Sequence, residues 1–360
     1  FVPLGIRGGN PGAALNRGTY ATTLIFAVLA FIIVYSLELE IGIFYATLAG
    51  LIAGIVLGMT SGFFTSIDRA PVMKTAEAAK TGPAINFLTG FSYGLISIVP
   101  PIIGMSIATI AAWFLAGVHG AHFAIYGVAI SAVGMLSIVG MVVSADAYGP
   151  IVDTAKGIAE QAGSGEEMIE IADKLDAAGN TAKAITKGFA IAAASLTVLA
   201  LFVTYAELVG IPIDPTTKFY VINLIDPRVI AGISLGAMMP PLLSAMLILG
   251  VGRNAFRMVE EVRRQFREIP GLMKGKAKPD YARCVDIAAK GALKELILPG
   301  VACIIAPMAV GFAFGKEALG GFLAGSIVTG TIFALFMANA GGTWDNAKKY
   351  VEAGSFGGKG

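Results

Sequence analysis

Eight long stretches of this chain are free of Asp, Glu, Lys and Arg: 18–37, 41–61, 87–116, 123–145, 188–206, 229–251, 296–314 and 319–338. Between them the ionisable residues gather in alternate loops. A hydrocarbon core takes about 20 helical residues to cross, and a helix is one of the few forms that satisfies its own backbone there. Each stretch therefore predicts a transmembrane helix. The predicted fold class is an all-α polytopic membrane protein of about eight spans, organised as one membrane domain over 1–360. The third uncharged run extends over 81–118, too long for one crossing, and Gly82, Pro83, Pro100 and Pro101 divide it into an approach and a kinked span.

Small residues recur at helical spacing within these stretches. Gly50, Gly54 and Gly58 form one stripe, and Gly321 and Gly325 another. Close helix packing through such stripes is the ordinary outcome; a glycine-lined pore is the alternative. The longest polar interval, 253–294, places Met258, Val262 and Phe266 at four-residue spacing, which predicts a helical extension leaving the bilayer with charges around an apolar stripe. Its arginines suit a solvated helix face or a lipid headgroup.

Composition agrees with the pattern: 56% of residues are hydrophobic, only 14% are charged, and the mean hydropathy is +0.77. Lys and Arg are retained on the cytoplasmic side. If 1–17 lie inside, the inner segments hold 23 of the 26 Lys and Arg, leaving Lys218, Arg228 and Lys316 outside. Topology accounts for the basic residues, so the net charge of +2 implies no nucleic-acid partner. Cys284 and Cys303 are too few for a metal cluster or a disulfide framework, and His119 and His122 stand in a short outer loop, incidental to any site. The chain begins FVPLGIRGGN and ends GSFGGKG. Both ends read as internal to a longer protein.

Three inner segments hold the candidate chemistry. In SADAYGPIVDTAKGIAE, Asp146 and Asp153 are two helical turns apart, with Pro150 between them and Lys156 three residues further on. An intrahelical pair accounts for Lys156, whereas Asp146 follows an apolar run and would be costly against lipid. In the next segment Asp176, Asn180, Lys183 and Lys187 step by four, three and four residues and share one helix face. Lys187 could snorkel to the interface, but two ammonium groups on one stripe repel unless acids or anions lie between them. The third set is Asp345, Asn346, Lys348 and Lys349, just past the last span and preceded by Gly341 and Gly342. An exposed ion pair is the simpler account there. Carboxylates are hard oxygen ligands suited to Mg²⁺, and lysines are point charges suited to phosphate. No GxxxxGK[ST] loop is present, which removes the main support for ordinary nucleotide hydrolysis.

The strings DAYGPIVD (146–153), GNTAKAITKGFAI (179–191), GAMMP (236–240), MVEEVRRQF (258–266), KPDYARCVDIA (278–288) and ANAGGTWDNAKKYVE (338–352) resemble those of the membrane-bound, ion-translocating inorganic pyrophosphatases. The likeness runs in order across nearly the whole chain. It implies a dimeric bundle of sixteen helices, of which this chain resembles helices eight to fifteen. It also implies hydrolysis of Mg²⁺-pyrophosphate on the cytoplasmic side, with H⁺ or Na⁺ moved outward. Through the resemblance, Asp153, Asn180 and Asp345 are metal ligands, and Lys187, Lys348 and Lys349 hold pyrophosphate. Asp146 and Lys187 belong to the ion path.

In the family, Lys with Thr three residues later goes with independence from K⁺ and with H⁺ pumping, and here that pair is Lys183 and Thr186. A tethered ammonium can take the place of a bound monovalent cation. The chain departs from the family pattern at Thr154, where Asn is usual, and at Lys156, where Gly or Gln is usual. The family's water-activating acids lie in helices this chain does not resemble, so no catalytic residue is expected within it, and the 360 residues alone are expected to be inactive. The function expected of the intact protein is a pyrophosphate-energised proton pump of the multi-pass membrane, a homodimer contacting lipid and no nucleic acid. A Na⁺-pumping pyrophosphatase and a non-enzymatic secondary transporter are the alternatives.

Overall fold

The computed structural model describes the backbone of residues 11–118, 120–214, 216 and 219–358, and the side chains of these except 11–16, 121, 122 and 145. His119, Lys218 and the side chain of His122 lie outside the described residues. Eleven α-helices are described: α1 Pro11–Ser36, α2 Ile41–Thr65, α3 Ala70–Ala78, α4 Pro83–Ile96, α5 Val99–Gly117, α6 Ala121–Leu136, α7 Val139–Gln161, α8 Glu166–Leu208, α9 Pro227–Glu268, α10 Tyr281–Phe314 and α11 Lys316–Glu352. Among the described residues there is no strand, only an isolated antiparallel bridge between Ile213 and Tyr220. Seven helical segments are long and apolar enough to cross a membrane, and a bent pair makes an eighth.

Two breaks refine the expected spans. The long uncharged run divides between α4 and α5 at Ser97–Ile98, immediately before two prolines that have no amide to give a preceding turn. Pro83 and Pro100 each stand in the first turn of their helix, where that amide is not needed. The stretch 123–145, expected as one span, is broken between α6 and α7 and bent by 42°. Ile138 leaves helical geometry there (φ −98°, ψ 15°), between two residues of poor helix propensity, Gly134 and Gly140.

The chain forms two compact units, 1–220 with 334–360 and 221–333. In the first, α2 is the central helix and packs on α5, α6 and α8. A side chain at Gly50 would collide with the Ser131 carbonyl, and one at Gly134 with the Thr47 carbonyl, so each helix presents a glycine to the other's backbone. Gly54 and Gly58 accept the ring of Phe189 from α8. The glycine stripe is therefore a packing surface, filled by neighbours. Lipid tails are as apolar as these side chains, so close dispersion contact, not water exclusion, favours such pairing.

In the second unit α9 and α11 repeat the device reciprocally. Gly232 and Gly236 face the carbonyls of Ala318 and Phe322, while Gly321 and Gly325 face those of Val229 and Ile233. Met239, Val310, Ala318 and Phe322 form the core beside this contact. Asp226 caps α9 by accepting from the Arg228 amide at 2.8 Å. The arginine side chain also donates to that carboxylate, which holds the Asp226 carboxyl below its ordinary range.

The polar interval does leave the apolar part of α9 as a helical extension to Glu268. Its inward face is not the expected apolar stripe: Glu261 and Gln265 are the buried positions, and Phe266 is exposed. Gln265 explains the difference, since it donates to Glu261 (2.9 Å) and the Asp280 carbonyl (3.1 Å) and accepts from the Asp280 amide (2.8 Å). A satisfied polar clasp thus ties the extension to the start of α10.

Candidate functional site

At the mouth of the first unit, the ends of α2, α7, α8 and α11 are joined by amides and ions. Asn346 of α11 is fully buried. Its Nδ2 donates to the Thr65 carbonyl (2.6 Å), the Ala177 carbonyl (3.2 Å) and Thr181 Oγ1 (3.3 Å), and its Oδ1 accepts from Asn180 Nδ2 (3.1 Å). One turn deeper, Thr343 donates to the Phe64 carbonyl at 2.8 Å. The outer end of α11 is held by α3, where Val72 and Ala76 enclose Ala347, and by Trp344, whose ring stacks on Phe87 at 5.7 Å over the bare face of Gly90.

This framework sets the predicted residues around a small hollow of about 120 Å³, lined by Asn180, Lys183, Lys187, Gly341 and Asp345 among others. Both glycines before Trp344 have a role in its shape. Gly342 lets α11 approach Thr65, and Gly341, with no neighbour within 4 Å, leaves the hollow open. Lys183 reaches across from α8, its Nζ 3.4 Å from Asn180 Oδ1 and 4.0 Å from Asp153 Oδ2 of α7. Its stem lies over Gly149, where any side chain would displace it. Lys187 also lines a second, mostly apolar hollow of about 160 Å³ with Asp146 and Thr186. There the Thr186 hydroxyl donates to Asp146 Oδ1 at 3.0 Å. Lys187 is thus common to both hollows.

The structure gathers Asp153, Asn180, Lys183, Lys187 and Asp345 at one mouth, with Asp146 and Thr186 beside it. It separates the two lysines of α11. Lys348 is exposed and 3.9 Å from Glu352, whereas Lys349 turns inward to an ion pair with Asp176 Oδ2. Neither lines the hollow. The supporting residues Gly149, Asn346 and Asp176 were less visible in the sequence. Gly149 lies within a matched string, but its contact with Lys183 crosses between helices. Asn346 and Asp176 stood in the polar sets without distinction from their neighbours.

The family profile described as inorganic H⁺ pyrophosphatase matches residues 6–360. The chain belongs to that family. It is an integral, multi-pass membrane protein. It is 45% identical over 352 residues to a putative K⁺-stimulated pyrophosphate-energised sodium pump of Clostridium tetani, covering 98% of this chain and 51% of the relative. It is 42% identical over 349 residues to a K⁺-insensitive pyrophosphate-energised proton pump of Methanosarcina mazei (97% and 51% covered). A K⁺-insensitive proton pump of Chloroflexus aurantiacus is 43% identical over 378 residues (100% and 49%). The chain spans about half the length of the curated relatives it matches.

Family membership raises the question of a metal. Asp153, Asn180 and Asp345 offer the hard oxygen atoms that Mg²⁺ takes. Among the described residues, however, no three His, Cys, Asp or Glu side chains are grouped to hold an ion. The donors fit magnesium in kind but do not complete a site among the described residues.

Proposed function

We propose that the intact protein is a membrane pyrophosphatase that couples hydrolysis of Mg²⁺-pyrophosphate to H⁺ export, with this chain supplying the lysine-rich wall of the site. The observation that carries this reading is the convergence of Asn180, Lys183, Lys187 and Asp345 on one hollow, with Asp153 beside Lys183. Two ammonium groups at a confined mouth attract a polyanion and hold its oxygens as point charges. Asp153, Asn180 and Asp345 contribute part of the oxygen set for Mg²⁺, which when bound neutralises phosphate charge and polarises the phosphoryl oxygens. Lys348, exposed and one helical turn beyond Asp345, would meet the incoming anion.

Lys183 carries the reading of K⁺ independence. Its ammonium stands between an amide oxygen and a carboxylate, surroundings that a bound monovalent cation would otherwise occupy. Lys187, shared by the two hollows, links the anion to Asp146 and Thr186, and a change of charge at the mouth would bias proton occupancy along that line. The names of several relatives favour a second reading, a K⁺-stimulated Na⁺ pump.

Phosphate release and vesicle acidification, measured on membranes containing the full-length protein with and without K⁺ and Na⁺, separate the two. Hydrolysis and acidification that need neither cation are expected. A strict requirement for K⁺ would overturn the role given to Lys183, and Na⁺ uptake in place of acidification would establish the second reading. Gradient-driven uptake indifferent to pyrophosphate would sink both and leave a secondary transporter.

A further inference from the structure

We infer that Asp176, Lys349 and Lys156 form a positioning clamp one helical turn beyond the pyrophosphate site, and that Lys349 acts on Asp176 instead of on the substrate. The inference rests on the functional reading above.

Asp176 is the most deeply buried acid at the helix mouths, with its side chain only 1% exposed. A lone carboxylate so placed would be very costly, and it persists only when paired. Its partners come from two other helices: Lys349 of α11 in direct contact, and Lys156 of α7 at 3.9 Å. Lys156 in turn holds Asp173 at 2.6 Å and lies 3.9 Å from Glu160. The two lysines are therefore each matched by a carboxylate, and the consecutive helices α7 and α8 are joined to the distant α11 through one side chain.

The register of these residues gives the clamp its meaning. Lys156 lies three residues beyond Asp153 on α7, Asp176 four before Asn180 on α8, and Lys349 three beyond Asn346 and four beyond Asp345 on α11. Every clamp residue is thus one turn from a residue of the site on the same helix. A rigid turn transmits position, so the ion layer fixes how far the three mouths stand apart and which way the site donors face. The neighbouring lysines of α11 divide their work: Lys349 is 10% exposed and committed to Asp176, whereas Lys348 is 69% exposed.

A double-mutant cycle in the full-length protein, reconstituted in vesicles, tests the clamp with Mg²⁺-pyrophosphate as substrate. Asp176→Asn and Lys349→Met are each expected to raise KM about tenfold, since displacement of a site by a fraction of a helix shift suffices for such losses, while kcat stays within about twofold. The double variant is expected to be no worse than either single, and Lys349→Arg to retain a nearly unchanged KM. Additive losses, or a Lys349→Met defect with Asp176→Asn unchanged, would place Lys349 on the substrate and overturn the clamp. If Asp176→Asn fails to accumulate, the neutral pair D176N/K349Q must restore accumulation; its failure to do so also overturns the proposal. Wild-type protein without pyrophosphate hydrolysis would instead defeat the functional reading, and this assignment with it.

Discussion

The two places where charged residues gather are built on opposite principles. At the mouth of the first unit, Asp176, Asn180, Asn346 and Lys349 are mostly buried and bond across helices separated by more than 160 residues in sequence. In the second unit each arginine–acid pair spans 42 residues or fewer in sequence, and its arginine stands toward solvent even where the acid is buried, as at Glu261. Arg264 pairs with Glu261 and Glu268 on its own helix, and Arg253 and Arg257 share Glu295 on the next. The first kind of contact loses a great deal when one partner is removed, because the other is left buried and unpaired. The second kind, with its arginines open to solvent, is screened, and a fully exposed pair is worth roughly 0–1 kcal/mol. Charge density therefore says little about where the chemistry lies; burial across separate helices says much more.

Substitutions can break this contrast, beginning with the largest expected effect. Asp345→Asn, in the intact protein, removes the acid of the first hollow and is expected to lower the rate of phosphate release by about 100-fold; a near-normal rate would remove the hollow from the site. Asn346→Leu keeps the branched outline, in a bulkier form, but strands the Thr65 and Ala177 carbonyls and the Asn180 amide. It is expected to cost about 2–4 kcal/mol, visible as a lower thermal inactivation temperature in detergent. Gly236→Val in the second unit forces α9 off the Phe322 carbonyl of α11 and should cost about 1–3 kcal/mol by the same assay. That loss would come with KM unchanged, because its damage is to helix packing.

The smallest effect is expected at the clasp of the extension. Arg264 and Gln265 hold the Glu261 carboxyl down to about 2. A depressed acid contributes its stability above the ordinary carboxylate value, near 4.3, and loses it as pH falls from there through about 2. The protection factors of amides in 261–284, with the pH dependence of intrinsic exchange divided out, should accordingly be flat from pH 8 to 5 and fall only below about 4.5. Arg264→Ala should lower those protection factors already at neutral pH and leave a smaller fall below about 4.5, with pyrophosphate hydrolysis unchanged. A loss of hydrolysis in that variant would mean that the two units are energetically linked and that the contrast drawn here is too sharp.

A further test concerns the hollow and its incompleteness. Residues 1–360 expressed alone should release no phosphate from pyrophosphate, since no three acids are grouped for a metal among the described residues. Measurable turnover would show that the site is more complete than its donors suggest.

Much of this protein could be read from the residues in order. Uncharged stretches of about 20 residues fix the membrane helices because hydrocarbon admits neither bare backbone nor unpaired charge. The steps of four, three and four residues between Asp176, Asn180, Lys183 and Lys187 fix a shared helix face by helical geometry alone. The polar inner face of the α9 extension was not legible, because it depends on a partner elsewhere in the chain, Asp280 against Gln265. The division of labour between Lys348 and Lys349 was likewise hidden. Adjacent residues on a helix point about 100° apart, and only the assembled bundle decided which of the two met a buried carboxylate and which met water.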